Sequence, residues 1–136
     1  MTRVLIVDDD RAIREMMACA LECEGYEVMT LGDGGTVLEV LATQHEPCVV
    51  LLDLMMPQMD GWAVCRALEA EPALLARHST IVMTATVLPE GACPSSARAV
   101  LRKPFALEHL YRLVAALAMP AADASSRPTP VGALAS

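Results

Sequence analysis

Aromatic side chains are scarce, with one Trp, two Tyr and one Phe among 136 residues. That leaves no platform on which unpaired bases could stack, and argues against single-strand RNA binding. Positive charge is also in deficit. Ten Lys and Arg against 17 Asp and Glu give a net charge of −7, the wrong sign for a protein that displaces counterions from a phosphate backbone. Direct nucleic-acid binding by this chain is therefore not expected. Paired CxxC motifs are missing too. The five cysteines, at 19, 23, 48, 65 and 93, are read as reduced, mostly buried thiols of a cytoplasmic protein. Although 54% of the residues are hydrophobic, no apolar run is long enough to cross a bilayer. Val4 to Val7 stop at three aspartates, too soon for the apolar region of a secretory leader. No membrane association is expected. A chain of this length suits one ordinary domain and buries enough surface to need no disulfides.

What is present is an alternation of short apolar runs with helical patterns. Val4 to Val7 forms a strand run that ends at Asp8-Asp9-Asp10. Ile13, Met16, Met17, Ala20 and Leu21 then recur as one face of a helix that ends at Glu24-Gly25. Tyr26 to Leu31 alternates in polarity and predicts a strand near an edge; Val37, Val40 and Leu41 predict the next helix. Cys48 to Leu52 is continuously apolar, the pattern of a parallel strand covered on both faces. A helix is predicted from about Trp62 to Ala70, strands over Thr80 to Thr84 and Ala99 to Arg102, and a last helix on Leu107, Leu110, Val114 and Leu117. Five strands alternating with helices predict an α/β domain, a doubly wound parallel sheet over residues 1–119. Two segments depart from this pattern. Thr86 to Arg98 contains Pro89, Gly91 and Pro94, so a fourth helix there should be short, irregular or missing. Residues 120–136 are rich in Ala, Ser and Pro and predict a flexible tail or linker.

In such a sheet, ligands bind beyond the carboxyl ends of the strands, at the switch point. Asp8, Asp9 and Asp10 follow the first strand, Asp53 follows the third, Thr84 closes the fourth and Lys103 follows the fifth. A central first strand brings Asp8, Asp9 and Asp53 within reach of one another. Clustered carboxylates repel by about 4 kcal/mol per pair at about 4 Å and an effective dielectric near 20. Such a site raises a pKa or recruits a cation. Hard oxygen donors with room for water suit Mg²⁺, with Mn²⁺ or Ca²⁺ as substitutes. Taken singly, each residue has a blander role: Asp8 to Asp10 as a cap on the following helix, Asp53 as a cap or turn residue, Lys103 as a solvated charge, Thr84 as a strand end. Their joint placement on one rim is what points to a metal and phosphate site.

At these residues the chain resembles the receiver domain of bacterial two-component response regulators, of the chemotaxis-regulator-like kind. VLIVDD (Val4 to Asp9), DLMMPQMDG (Asp53 to Gly61), Thr84-Ala85 and Lys103-Pro104-Phe105 stand in that family's order and near its spacing. The resemblance implies the flavodoxin-like strand order 2-1-3-4-5. It implies that Asp53 is the phosphoacceptor, fed by a sensor histidine kinase or phosphotransfer protein. Asp9, Asp53 and the backbone carbonyl of Met55 would ligate Mg²⁺ directly, and Asp8 through metal-bound water. Lys103 would pair with one phosphoryl oxygen and Thr84 would donate to another. Pro57 and Gly61 would shape the loop after Asp53, and the Lys103–Pro104 peptide would be cis.

The sequence departs from that pattern at Val100, where the family usually has a Tyr or Phe that turns inward on activation. Met55 and Thr86 occupy positions that, by the same resemblance, govern water access to the phosphoryl group; neither is acidic or an amide, so an ordinary phosphoryl lifetime is expected. The implied role is a phosphorylation-dependent signalling module, slowly hydrolysing its own aspartyl phosphate, rather than an enzyme turning over a diffusible substrate. A haloacid-dehalogenase-type hydrolase needs an Asp where Met55 stands. A flavodoxin-like cofactor binder needs a neutral first loop instead of Asp8 to Asp10. A phosphorylation-independent protein-binding module is the alternative kept open by Val100 and the 86–98 segment. Output is expected through an unknown protein or effector domain, whether the chain acts alone or as part of a longer regulator. Cys19 and Cys23, one helical turn apart, lack further metal ligands, and His45, His78 and His109 are read as loop or helix-surface residues.

Overall fold

The structure, a computed structural model, describes residues 2–56 and 60–118. The strands are β1 (Arg3–Val7), β2 (Glu27–Leu31), β3 (Cys48–Asp53), β4 (Ser79–Thr84) and β5 (Ala97–Arg102). The helices are α1 (Arg11–Cys23), α2 (Val37–Ala42), α3 (Gly61–Glu69), α4 (Pro72–Arg77) and α5 (Leu107–Leu117). All strand pairs are parallel, in the order β2-β1-β3-β4-β5. This is the expected doubly wound, flavodoxin-like sheet.

Strand periodicity divides the core in two. Along β1, Val4 and Ile6 face one side with Met17 and Leu21 of α1 and Leu110 and Val114 of α5. Leu5 and Val7 face the other with Val37 and Leu41 of α2 and Val64 and Leu68 of α3. β3 lies mid-sheet with every residue buried, which is why it is apolar up to Asp53, whereas edge strand β2 has no fully buried residue. Asp10 caps α1, its carboxylate accepting from the backbone N–H groups of Ala12 and Ile13 at 2.9 and 3.2 Å. Asp60 caps α3 through the N–H of Ala63 at 2.9 Å.

The expected defect between β4 and β5 is present: no helix forms across residues 85–96. Gly91 takes a φ of +80°, and turns close from Ala92 N–H to the Pro89 carbonyl and from Ala97 N–H to the Pro94 carbonyl. One helix was not expected. α4 carries Pro72 at its start, where a missing N–H costs nothing, but it has no buried residue and hence no apolar face to read.

Three local expectations are corrected. Cys48 and Cys65 are buried, but Cys19 and Cys23 are exposed and Cys93 is half-buried, so the thiols are free but not mostly buried. The core face of α1 runs through residues 13, 17 and 21, which turns 19 and 23 outward; Met16 is likewise 45% exposed. His78 is buried, not a surface residue. Its Nδ1 accepts from the Cys48 N–H at 3.0 Å and its Nε2 faces the Leu41 carbonyl at 3.2 Å. The expected tail over 120–136, and Pro57, lie outside the described residues. Among the described residues no helix is long and apolar enough to cross a membrane.

Candidate functional site

Every strand that was expected to feed the site ends on the same rim. Parallel register places Val7 beside Leu52 and Asp53 beside Met83, so the residues that follow β1, β3 and β4 emerge together. The carboxylates of Asp8, Asp9 and Asp53 each offer an oxygen, and these oxygens all lie within 4.8 Å of one another. Asp8 and Asp53 are buried and Asp9 is exposed, which leaves the cluster open to solvent on one side. Lys103 reaches in from the end of β5, its Nζ 2.6 Å from Asp8 Oδ2 and 3.4 Å from Asp53 Oδ2. The Lys103 N–H donates to the Thr84 carbonyl at 2.8 Å, tying the lysine's backbone to β4. The Lys103–Pro104 peptide is cis.

The second oxygen of each buried carboxylate is also engaged. Asp8 Oδ1 accepts from the Asp10 N–H at 2.9 Å, and Asp53 Oδ1 from the Met55 N–H at 3.0 Å. Burial pushes the Asp53 carboxyl up from its ordinary pKa, and the neighbouring Asp8 charge adds to this, against the lowering effects of the Met55 N–H and the Lys103 ammonium. For Lys103, burial works to lower the pKa, but the Asp8 hydrogen bond and the two carboxylate charges outweigh it and raise the value. The lysine therefore stays a cation, and two carboxylates share it.

The donor set fits a small hard cation. Two oxygens on opposite sides of one ion stand roughly 4–5 Å apart for Mg²⁺ or Ca²⁺, and the three carboxylate oxygens here lie within 4.8 Å of one another. All three side-chain donors are carboxylate oxygens, with no thiol or imidazole among them.

Thr84 is buried at the end of β4, but its hydroxyl is turned toward Thr86. It donates to the Thr86 carbonyl at 3.0 Å and accepts from the Thr86 N–H at 3.1 Å. The rim thus holds Asp8, Asp9, Asp53 and Lys103 in direct contact range, with the Thr84 hydroxyl directed elsewhere. Two contributors, Arg14 and Gly32, had no sequence signal. Arg14 on α1 donates to the Asp8 carbonyl at 2.6 Å, and Gly32 leaves it room, since a Cβ there would sit 3.3 Å from the guanidinium. Gly61 supports Asp53 by close approach: a Cβ would stand 2.3 Å from the Asp53 carbonyl oxygen. DLMMPQMDG carried that glycine in plain view, but not its reason.

Residues 4–115 match the family model described as the response regulator receiver domain. The chain belongs to the response regulator receiver family. Among curated relatives, the response regulator MprA of Mycolicibacterium vanbaalenii is 39% identical over 121 residues, covering 85% of this chain and 49% of that protein. The MprA protein of Mycobacterium leprae is likewise 39% identical, with 85% and 50% covered. The chain thus spans about half the length of the curated relatives it matches. Among solved structures, the CheY-like receiver domain protein of Methanospirillum hungatei superposes with a TM-score of 0.71 at 30% identity, over 83% of this chain and 90% of that one. The Vibrio cholerae chemotaxis protein CheY4 gives 0.75 at 29%, over 86% and 98%. The Thermotoga maritima response regulator TrrA, solved with Mg²⁺ and BeF, gives 0.73 at 28%, over 86% and 99%.

Proposed function

We propose that this receiver domain, spanning residues 1–119, is a phosphorylation-dependent switch in which Asp53 accepts a phosphoryl group from a sensor histidine kinase or phosphotransfer protein. An Asp53 carboxylate oxygen bonds to phosphorus as the P–N bond to the donor histidine breaks and the imidazole leaves with the bonding pair. Asp8, Asp9, Asp53 and the Met55 carbonyl hold Mg²⁺, with Mn²⁺ or Ca²⁺ able to replace it. Bound there, the ion offsets the charge on the transferring group. Lys103 stands ready to pair with a phosphoryl oxygen once Asp53 Oδ2 carries phosphorus. The phosphoryl group adds about −1.5 to −2 charges and three acceptor oxygens. Thr84 exchanges its bond to the Thr86 carbonyl for one of those oxygens, and the 85–96 segment follows it. No diffusible substrate is turned over; the domain slowly hydrolyses its own acyl phosphate. It works in the cytoplasm, passing its state by contact to an output protein or an effector domain.

The observation that carries this reading is the shared lysine. One ammonium binds two buried carboxylates while a third carboxylate oxygen lies within 4.8 Å of theirs. The Mg²⁺–BeF complex of the similar TrrA adds support. Acetyl phosphate with Mg²⁺, read by intact mass, tests it. One added phosphoryl group is expected, absent in Asp53→Asn and suppressed by EDTA. An unmodified wild-type mass overturns the proposal in favour of a phosphorylation-independent binding module.

A further inference from the structure

The missing helix between β4 and β5 leaves a cavity of about 580 Å³. Its floor is sheet. Thr84 and Arg102 are register partners, as are Val82 and Val100, so Thr84, Val100 and Arg102 share one sheet face. Its wall is the irregular segment, through Val87, Leu88, Pro89, Glu90 and Cys93. Val87 is 67% exposed, a large apolar side chain held over open space. Among the described residues no side-chain hydrogen bond or ion pair engages Arg102 or Glu90, both exposed.

We propose that this cavity is a binding site for a small monocarboxylate with an apolar body. The volume lies in the range of small-ligand pockets, about 300–1,000 Å³, and the lining has their usual composition: mostly apolar, with few polar groups. Val87, Leu88, Pro89 and Val100 receive the body. Arg102 offers the carboxylate an unpartnered fork of donors, and Thr84 and Thr86 also line the cavity. Glu90 is the only acidic side chain on the lining, and it selects against a second negative charge on the ligand.

The site adjoins the switch. Thr84 lines it while its hydroxyl is turned to the Thr86 carbonyl. A ligand packed on both threonines stabilises that orientation and opposes the one that Asp53 phosphorylation requires. This coupling, though not the binding itself, rests on the function proposed above. Linkage makes it reciprocal.

The test titrates 3-phenylpropionate and its amide into the unphosphorylated full chain, read by backbone amide NMR. The acid, of about eleven heavy atoms, should shift lining residues with a Kd on the order of 1 mM. The amide, and the acid on Arg102→Met, should each bind about 10-fold more weakly. Val100→Phe, which fills the floor, should abolish the shifts. No shift at the lining residues overturns the proposal. So does equal binding of acid and amide, which would make the cavity a seat for an uncharged side chain of a partner protein. Acetyl phosphate treatment then reads the coupling: the phosphorylated protein should bind the acid about fivefold more weakly, and equal affinity overturns it. If the acid binds as stated but acetyl phosphate adds nothing even without it, the phosphorylation reading has failed and the ligand site stands.

Discussion

Gly61→Ala places a methyl carbon where the backbone of Asp53 and Leu54 already lies. The added Cβ would stand 2.3 Å from the Asp53 carbonyl oxygen, 2.7 Å from Leu54 Cα and 2.9 Å from the Asp53 carbonyl carbon, against an ordinary contact of 3.4–4 Å. All three obstacles are main-chain atoms, so no side chain can rotate away. The start of α3 must retreat from the end of β3 by about 1 Å, which also strains the Gly61 N–H bond to the Leu54 carbonyl at 3.1 Å. Overpacking of this kind costs about 1–3 kcal/mol, and a weakened buried hydrogen bond adds about 1 kcal/mol. The expected loss is about 3 kcal/mol, or roughly 10 °C in Tm for a domain of this size. Urea unfolding followed by circular dichroism reads it. Gly32→Ala is the control, because its nearest neighbour is the flexible end of Arg14 at 3.3 Å, and it should cost well under about 1 kcal/mol. A Gly61→Ala protein as stable as Gly32→Ala would refute the steric reasoning.

Three further outcomes follow from buried titratable groups. Lys103→Met leaves two buried carboxylates without their shared cation; it should lose about 3 kcal/mol in EDTA and regain much of it on adding Mg²⁺, and an equal loss in both buffers would contradict the shared-cation account. The pKa of Asp53 is raised in the folded state, so its ionisation costs stability as pH rises through that value. Asp53→Asn should therefore be more stable than wild type at pH 7 in EDTA, and a less stable variant would count against the desolvation argument. Burial and then Arg77 lower the His78 pKa. The unfolded chain thus takes up a proton near pH 6.5 that the folded one resists, and stability falls as pH drops below about 6.5, by up to roughly 1.4 kcal/mol per unit. His78→Gln should flatten that slope in urea titrations, and an unchanged slope would show that His78 does not titrate in this range.

The sheet was readable because parallel strands buried on both faces must be apolar throughout, as Cys48 to Leu52 is. The clustered carboxylates were readable for a related reason: strand ends converge on one rim, so position along the chain predicts position in space. The defect after β4 was announced by Pro89 and Pro94, which a helix interior does not tolerate, with Gly91 between them weakening a helix further. Other features had no local signature. Helix α4 buries nothing, so no periodicity marks it. His78 is fixed by Cys48 and Leu41, 30 and 37 residues away in sequence. Arg14 reaches the Asp8 carbonyl only because α1 packs beside β1. The orientation of Thr84 depends on a hydrogen bond to Thr86 that competes with any bond to the site, a balance that residue identity alone does not decide.

Site mapping of the phosphoryl group tests the central claim most directly. The chain is treated with acetyl phosphate and Mg²⁺, reduced with borohydride to convert an acyl phosphate to an alcohol, and digested for peptide mass spectrometry. The account predicts homoserine in place of Asp53 and at no other carboxylate. Modification at Asp8 or Asp9 with Asp53 intact, or a phosphoryl group found only on a histidine, would contradict it.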